Sequence, residues 1–281
     1  MTRHRSVPPL PLLALLLALL LCLPVTAQTP VPHAPTTGDA LPPAIVGEAG
    51  ELMGTRLAYF EGDAEASGYL SVPAGDGPFP SVILIHEWNG LVERVQQTAD
   101  SFAAEGYVAL AVDLYSGRTG TNPQENMALV RETLADEAKL IANLDAAVAY
   151  LRGRDDTTDK VATIGWCYGG GVALSFALGG EHHDGTAIFY GRLLADPEQM
   201  KTIDHPVYGT FVENDRGIPV EDVERFVETL RAAGIANDVH IYDEVAHGFW
   251  LHVDRDPEKN TPAAIDAWKR LRTYLQSVLG G

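Results

Sequence analysis

The stretch KVATIGWCYGGGVALSF, residues 160–176, determines how the rest of the chain is interpreted. Its first half is apolar like a buried strand and its second half is apolar like a helix, so Cys167 falls on the turn between them. Gly165 and Gly169 flank the cysteine at the spacing of a nucleophile elbow, whose strained backbone leaves no room for neighbouring side chains. A helix N-terminus favours a thiolate, and the N–H of Tyr168 can face a developing oxyanion. The same residues also fit a buried, unreactive cysteine at a glycine-rich helix start, so this stretch alone leaves both interpretations open.

An acid and a histidine follow the cysteine in the chain order that a hydrolase with such an elbow requires. Asp215 comes just after the apolar run 207–212, and His247 comes just after the last strand-like run. Both positions lie where parallel strands end, the edge at which open α/β sheets keep their sites. A base that reaches the thiol and an acid that fixes the tautomer of this base would complete a triad. Competing acids at the same edge are Glu213, Asp243 and Glu244.

Strand-like and helix-like runs alternate along the chain, which predicts a mostly parallel, doubly wound sheet flanked by helices in a single α/β domain. The domain is predicted over residues 51–281, after a flexible segment, 28–50, that is rich in proline, alanine, threonine and glycine. The spacing of apolar residues predicts helices over 124–152, 220–233 and 262–279. The predicted strands are 56–60, 68–72, 81–86, 107–113, 160–165, 186–190, 207–212 and 238–242.

Residues 1–27 have the pattern of a secretory signal peptide, with two arginines, the apolar run 10–23 and a small-residue cleavage site at 25–27. A retained membrane anchor is the alternative. Cleavage would remove Cys22 and leave Cys167 as the one cysteine of the mature chain, which then has no internal disulfide. We therefore expect an exported protein, periplasmic or extracellular, without stable membrane association after cleavage.

The charge of the chain is strongly acidic, with 20 lysines and arginines against 38 aspartates and glutamates. Since the leader carries two arginines and no acid, the mature chain has a formal charge of −20. Such a surface argues against nucleic acids and anionic membranes as partners, and it does not favour an anionic substrate. The sequence does not specify an oligomeric state, and a monomer is favoured.

Five segments together resemble the dienelactone hydrolase family of α/β-hydrolases, in the right order and at compatible spacing over about residues 59–279. They are HEWNG, VDLYSGR, GWCYGGG, FVENDRGIP and AHGF. The resemblance implies an α/β-hydrolase fold and a catalytic triad of Cys167, His247 and Asp215. It implies hydrolysis of a small-molecule lactone or activated ester through a thioester intermediate, with no metal and no organic cofactor.

The resemblance also assigns roles to the loop that carries HEWNG. Glu87 is expected to contact the thiol and to help deprotonate it when substrate arrives. The backbone N–H groups of Trp88 and Tyr168 are expected to form the oxyanion hole. Without the resemblance, Glu87 fits an ordinary solvated loop carboxylate equally well.

The substrate-binding positions depart from the family. Dienelactone hydrolases grip a substrate carboxylate with an arginine four residues after the catalytic histidine, whereas this position is Leu251 here, followed by His252, with Arg255 further on. A second family arginine follows the DLY segment at a slightly different offset from Arg118. The candidate substrate-binding residues are Tyr115, Arg118 and Trp250, and further aromatic candidates are Trp88, Tyr190 and Phe249. For each of the five aromatic residues, core packing is at least as good an interpretation as substrate contact.

These observations predict an exported cysteine-dependent hydrolase of small esters or lactones. The alternative is a non-catalytic relative of the same fold that binds a ligand or senses oxidants through Cys167. A thiol sensor normally has a resolving cysteine, and the mature chain has none.

Overall fold

A computed structural model describes Met1 and residues 35–280, and its core is one sheet of eight strands in the order β1-β2-β4-β3-β5-β6-β7-β8. The pairs β1–β2 and β2–β4 are antiparallel, and every other neighbouring pair is parallel. The predicted signal peptide lies outside the described residues, apart from Met1. The strands are β1 Thr55–Leu57, β2 Gly68–Ser71, β3 Phe79–Ile85, β4 Val108–Ala111, β5 Thr157–Trp166, β6 Gly185–Phe189, β7 Val207–Val212 and β8 Asn237–Tyr242.

Helices cover both faces of this sheet. They are α1 Pro43–Val46, α2 Glu93–Ala104, α3 Pro123–Leu134, α4 Glu137–Arg152, α5 Tyr168–Gly179, α6 Pro197–Met200, α7 Val220–Ala232 and α8 Pro257–Leu279, with a 3₁₀ turn at Val253–Arg255. Successive side chains of a strand point to opposite faces. In β3, Val82 and Leu84 therefore pack with α2 and α8, whereas Ile83 and Ile85 pack with α4 and α5. The predicted doubly wound α/β sheet in a single domain is confirmed.

The predicted helix over 124–152 is wrong in one respect, because the chain forms two helices there. The side chain of Asp136 accepts a hydrogen bond from the backbone N–H of Lys139 at 3.0 Å and so begins α4 as its N-cap. Two apolar residues of this run, Met127 and Leu134, are exposed on α3. The spacing of apolar residues continues across the break between α3 and α4, so the periodicity does not indicate where one helix ends and the next begins.

The last helix begins at Pro257, five residues before the predicted start at Pro262. A proline is a common start signal, because inside a helix it removes one hydrogen bond and its ring crowds the carbonyl four residues earlier. Asn260 and Ala264, on either side of Pro262, are both buried and hold this part of α8 against the domain.

Part of the segment expected to be flexible packs against the domain. Ala44 and Ile45 of α1 are fully buried, and the guanidinium of Arg94 donates a hydrogen bond to the carbonyl of Ala44 at 2.5 Å. The expectation of a flexible segment over 28–50 therefore does not hold for α1, because two apolar side chains gain burial there. Within the described part of the chain, no helix combines the length and apolar character needed to cross a bilayer.

A buried histidine, His183, lies just before β6 at the amino-terminal edge of the sheet, opposite the edge that carries the predicted site. The Nδ1 of His183 lies 3.1 Å from the carbonyl oxygen of Glu181, which can only accept, so Nδ1 carries the proton. Nε2 is then free to accept from the hydroxyl of Thr186 at 2.9 Å. Burial, reinforced by the neighbouring His205, lowers the pKa of His183 to about 3. The folded state therefore keeps this imidazole neutral.

We expect this histidine to make the fold less stable in acid. Between the unfolded pKa of about 6.5 and the folded pKa, only the unfolded chain binds the proton, so the free energy of unfolding falls as pH falls. The contribution of His183 between pH 7 and pH 5 is about 2 kcal/mol. Urea unfolding of His183→Gln at both pH values should show a smaller acid loss than the wild type. His182→Gln, at an exposed neighbouring position, is the control. An equal acid loss in wild type and His183→Gln would contradict the prediction.

Candidate active site

Cys167 lies between the end of β5 and the start of α5, on a turn with φ 55° and ψ −116°. This positive φ is strained for a residue with a Cβ and costs on the order of 1–3 kcal/mol. The surroundings enforce it, because a Cβ on Gly169 would lie 2.2 Å from the carbonyl oxygen of Ile85. A Cβ on Gly165 would lie 2.0 Å from the carbonyl oxygen of Gly169. The flanking glycines are therefore required by the close approach of β5 and α5 to the end of β3.

The thiol of Cys167 is neutral at rest. Burial raises its pKa to about 12, and the negative charge of Glu87 is the next largest cause. The backbone N–H groups of Tyr168 and Trp88 act in the opposite direction, since they favour the thiolate. The two predicted oxyanion donors thus come from the start of α5 and the loop after β3, and both act on the sulfur.

His247 and Asp215 form a close pair at the carboxyl edge of the sheet. The Nδ1 of His247 lies 2.6 Å from Oδ2 of Asp215, whose side chain is only 6% exposed. The other carboxylate oxygen of Asp215 accepts from the backbone N–H of Gly217 at 2.9 Å. With Nδ1–H donating to Asp215, Nε2 of a neutral ring keeps its lone pair and can act as a base.

Tyr190 links this pair to the elbow. Its ring centroid is 4.9 Å from that of His247. Burial raises the pKa of the Tyr190 phenol well above its usual value, and the charges of Glu87 and Cys167 add to this effect. Within residues 35–280, no hydrogen bond joins the Cys167 thiol to His247 or to the carboxylate of Glu87. The structure brings the predicted residues to one edge of the sheet without a formed thiol–imidazole contact.

The carboxylate of Glu87 has a partner that sequence reasoning missed. Oε2 of Glu87 lies 2.8 Å from Nε2 of His252, and both side chains are about nine-tenths buried. The two residues are 165 positions apart in the chain. The one available signal in the sequence is the position of His252, five residues after His247 and directly after Leu251.

Two buried rings support the loop after β3. The Nδ1–H of His86 donates to the carbonyl of Glu87 at 2.6 Å, while Nε2 accepts from the N–H of Leu114 at 3.3 Å. The hydroxyl of Tyr115 donates to the carbonyl of Trp88 at 3.1 Å. Tyr115 is fully buried, and its hydrogen bond orients the loop peptide, while its predicted contact with substrate stays a prediction.

The other two predicted substrate-binding residues also lie elsewhere. Trp250 is fully buried, and its ring stacks on that of Trp166 with centroids 5.8 Å apart. Both guanidinium ends of Arg118 donate to the carboxylate of Glu132 on α3, at 3.0 and 2.6 Å. Trp250 therefore packs in the core and Arg118 is paired with Glu132, and substrate contact by either residue stays a prediction. Of the further aromatic candidates, Tyr190 and Phe249 are also buried.

No group of three or more histidine, cysteine, aspartate or glutamate side chains within the described residues is arranged to hold a metal ion.

The competing acids Asp243 and Glu244 line a groove beside α8, together with residues of α8 such as Asp266. The partner of His247 is Asp215.

A parallel sheet with a strained nucleophile turn after β5, followed in the chain by an acid and a histidine at strand ends, defines an α/β-hydrolase. The dienelactone hydrolase family model matches residues 66–279. A provisionally named carboxymethylenebutenolidase of Methylorubrum extorquens is 32% identical over 228 residues, which cover 76% of this chain and 77% of that protein. The chain therefore belongs to the dienelactone hydrolase family, and the predicted class of enzyme, an ester or lactone hydrolase, is confirmed at this level.

Solved structures show the same fold. A dienelactone hydrolase-like promiscuous phosphotriesterase from metagenomic libraries superposes with a TM-score of 0.71 at 21% identity, covering 81% of this chain and 98% of that one. A thermophilic esterase of Thermogutta terrifontis has a TM-score of 0.59 at 15% identity, covering 81% and 93% of the two chains.

The crowding at the elbow gives a stability prediction. Gly169→Ala places a methyl group against backbone carbonyls that cannot move without distorting β3, so we expect a loss of more than about 3 kcal/mol in the free energy of unfolding. Gly179→Ala, in the last turn of the same helix with open space around it, is the matched control and should change stability by no more than about 1 kcal/mol. Urea unfolding measures both. Equal effects of the two substitutions would refute the close-approach argument.

Proposed function

We propose that this chain is an exported hydrolase of small esters or lactones that uses Cys167 as its nucleophile, His247 as its base and Asp215 as the residue that orients the base. The observation that carries the proposal is the close pair of His247 and Asp215, 2.6 Å apart, on the same edge of the sheet as a cysteine on a strained elbow. Family membership gives the reaction class. The triad assignment rests on the residues of this chain.

The proposed reaction starts when the thiol proton passes first to the carboxylate of Glu87 and then to Nε2 of His247, and the thiolate attacks the carbonyl carbon of the substrate. The resulting oxyanion accepts hydrogen bonds from the backbone N–H groups of Trp88 and Tyr168. Collapse breaks the bond to the alkoxide oxygen, which takes a proton from the imidazolium of His247 and leaves a thioester on Cys167. His247 then removes a proton from water, which attacks the thioester and releases the acid and the thiol.

The resting thiol sets a requirement for this reaction. With a pKa near 12, almost none of the sulfur is thiolate at neutral pH. Ionisation therefore has to accompany substrate binding, which supports a role for Glu87 as a nearby proton acceptor. The same high pKa counts against the alternative of a thiol sensor, because sensors react as thiolates.

The substrate class follows from what surrounds the site. The position of the family's carboxylate-binding arginine is a buried leucine, Leu251, and Arg118 is paired with Glu132. The acidic net charge also repels anions at long range. We therefore propose neutral small esters and lactones as substrates, ahead of those that carry a carboxylate.

Substitution of the proposed acid tests the triad. Asp215→Asn keeps the hydrogen-bonding shape but favours the wrong tautomer of His247, and we expect kcat for a small chromogenic ester to fall by about 10²–10⁴. Asp243→Asn, at a competing acid outside the pair, should retain turnover, and Cys167→Ala gives the background rate. If Asp243→Asn lost turnover while Asp215→Asn kept it, the acid of the triad would be Asp243. Turnover that survives in Cys167→Ala would end the cysteine mechanism.

Export is the second part of the proposal and rests on the leader pattern in residues 1–27. Expression of the full chain in a Gram-negative host, followed by mass spectrometry of the periplasmic fraction, should find a chain that begins at Gln28. A chain that keeps the apolar run 10–23 in the membrane fraction would favour an anchor, and an uncleaved chain in the cytoplasm would refute export.

A further inference from the structure

Two carboxylates surround the thiol, and each has its own histidine. Asp215 holds His247 at 2.6 Å, and Glu87 holds His252 at 2.8 Å. The triad uses the first pair and gives no task to the second. A pair of nearly buried ionisable side chains needs an explanation, because burying them without a function costs free energy.

The carboxylate of Glu87 interacts with both the thiol and His252. On one side, its charge contributes to the raised pKa of Cys167. On the other side, Oε2 meets the ring nitrogen of His252. Both Oε1 of Glu87 and Cδ2 of His252 lie 3.9 Å from the point that a Cβ on Gly248 would occupy. The turn that carries His247 therefore closes over the second pair and keeps it in place.

Several charged or titratable groups face this pair. Nη1 of Arg255 lies 3.7 Å from the same point above Gly248, and Asp254, paired with Arg94 at 2.6 Å, is within electrostatic range of His252. Tyr190 faces Glu87 from the end of β6. His252 also lines a cavity of about 270 Å³ together with His247, Arg255, Asp256 and Lys259. Histidine is the side-chain type that serves as a proton switch near neutral pH.

We propose that His252 is a positioning residue that acts on Cys167 through Glu87. Its ring holds the carboxylate beside the thiol, and its charge state sets how strongly this carboxylate opposes ionisation of the sulfur. The proposal deepens the proposed function, since it assumes that Cys167 is the nucleophile.

The physical basis is the charge of the pair. With a neutral His252, the pair carries one negative charge next to the thiol and disfavours a second one on sulfur. With a protonated His252, the pair is neutral overall and the opposition weakens. When the thiol proton moves from Sγ to Glu87, the S–H bond breaks, an O–H bond forms on the carboxylate, and the products are a thiolate and a neutral carboxylic acid. His252 keeps its own N–H throughout, so it orients the acceptor without exchanging the proton.

The test measures the rate at which iodoacetamide alkylates Cys167 from about pH 5 to pH 9. Label is quantified by mass spectrometry on the peptide that contains Cys167, so Cys22 does not contribute. A thiol far below its pKa gains one log unit of rate per pH unit. We expect His252→Gln to follow this line apart from the contribution of His247, which is common to every variant in the comparison. The alkylation rates of the wild type and of the control His182→Gln should rise less steeply with pH while His252 loses its proton. At the alkaline end, both rates should lie roughly three- to tenfold below the line extrapolated from acid pH.

A double-mutant cycle identifies the route. If His252 acts through Glu87, then adding His252→Gln to Glu87→Gln should change neither the alkylation profile nor kcat/KM beyond the effect of Glu87→Gln alone. A merely structural role for His252 would lower the thermal stability of the variant without straightening its pH profile. Should His252→Gln fail to fold, Glu87→Gln alone must show the straight profile.

Three outcomes overturn the proposal: a His252→Gln profile that coincides with the wild type, an undiminished effect of His252→Gln in the Glu87→Gln background, or a profile that stays curved in Glu87→Gln. The labelling experiment needs no turnover. A wild type without esterase activity would therefore defeat the proposed function while the alkylation profile still decides the role of His252.

Discussion

The structure depends on the close fit of the first turn of α5 against the ends of β3 and β5. Gly169 leaves no space for a Cβ next to the carbonyl groups of Ile85 and His86, and the N–H of Cys167 donates to the carbonyl of Phe189 at 2.9 Å. Because three parallel strands end at this point, the cysteine backbone has one available conformation, which is strained. Burial of the central strands on both faces supplies far more stabilisation than this strain costs.

The same close fit explains why backbone N–H groups and carboxylates set the electrostatic environment of the Cys167 thiol. The start of α5 and the loop after β3 present N–H groups to the sulfur, held by the buried rings of His86 and Tyr115. Glu87 and Asp215 oppose them by favouring a neutral thiol. A neutral thiol is slow to react with oxidants. Under the proposed function, activity then depends on a change that the substrate brings.

Much of this arrangement could be predicted from the sequence because it is local. The apolar runs before and after Cys167, and the positions of Asp215 and His247 after strands, are readable within about ten residues of chain. The start of α4 was missed because the cap at Asp136 does not interrupt the apolar spacing. The contact of Glu87 with His252 could not be predicted, since it joins distant segments and depends on how the last turn folds over the sheet.

The turn after His247 also accounts for how this chain departs from the carboxylate-binding pattern of its family. Leu251 is fully buried, and its backbone N–H donates to the hydroxyl of Tyr190 at 3.3 Å. This bond directs residue 251 into the core and residue 252 toward Glu87. An arginine at position 251 would place its charge among the apolar residues packed against α8, so this backbone does not accept the family's clamp. The conformation of this one turn thus puts a buried leucine, and no arginine, at position 251. The same turn places the ring of His252 against the carboxylate of Glu87.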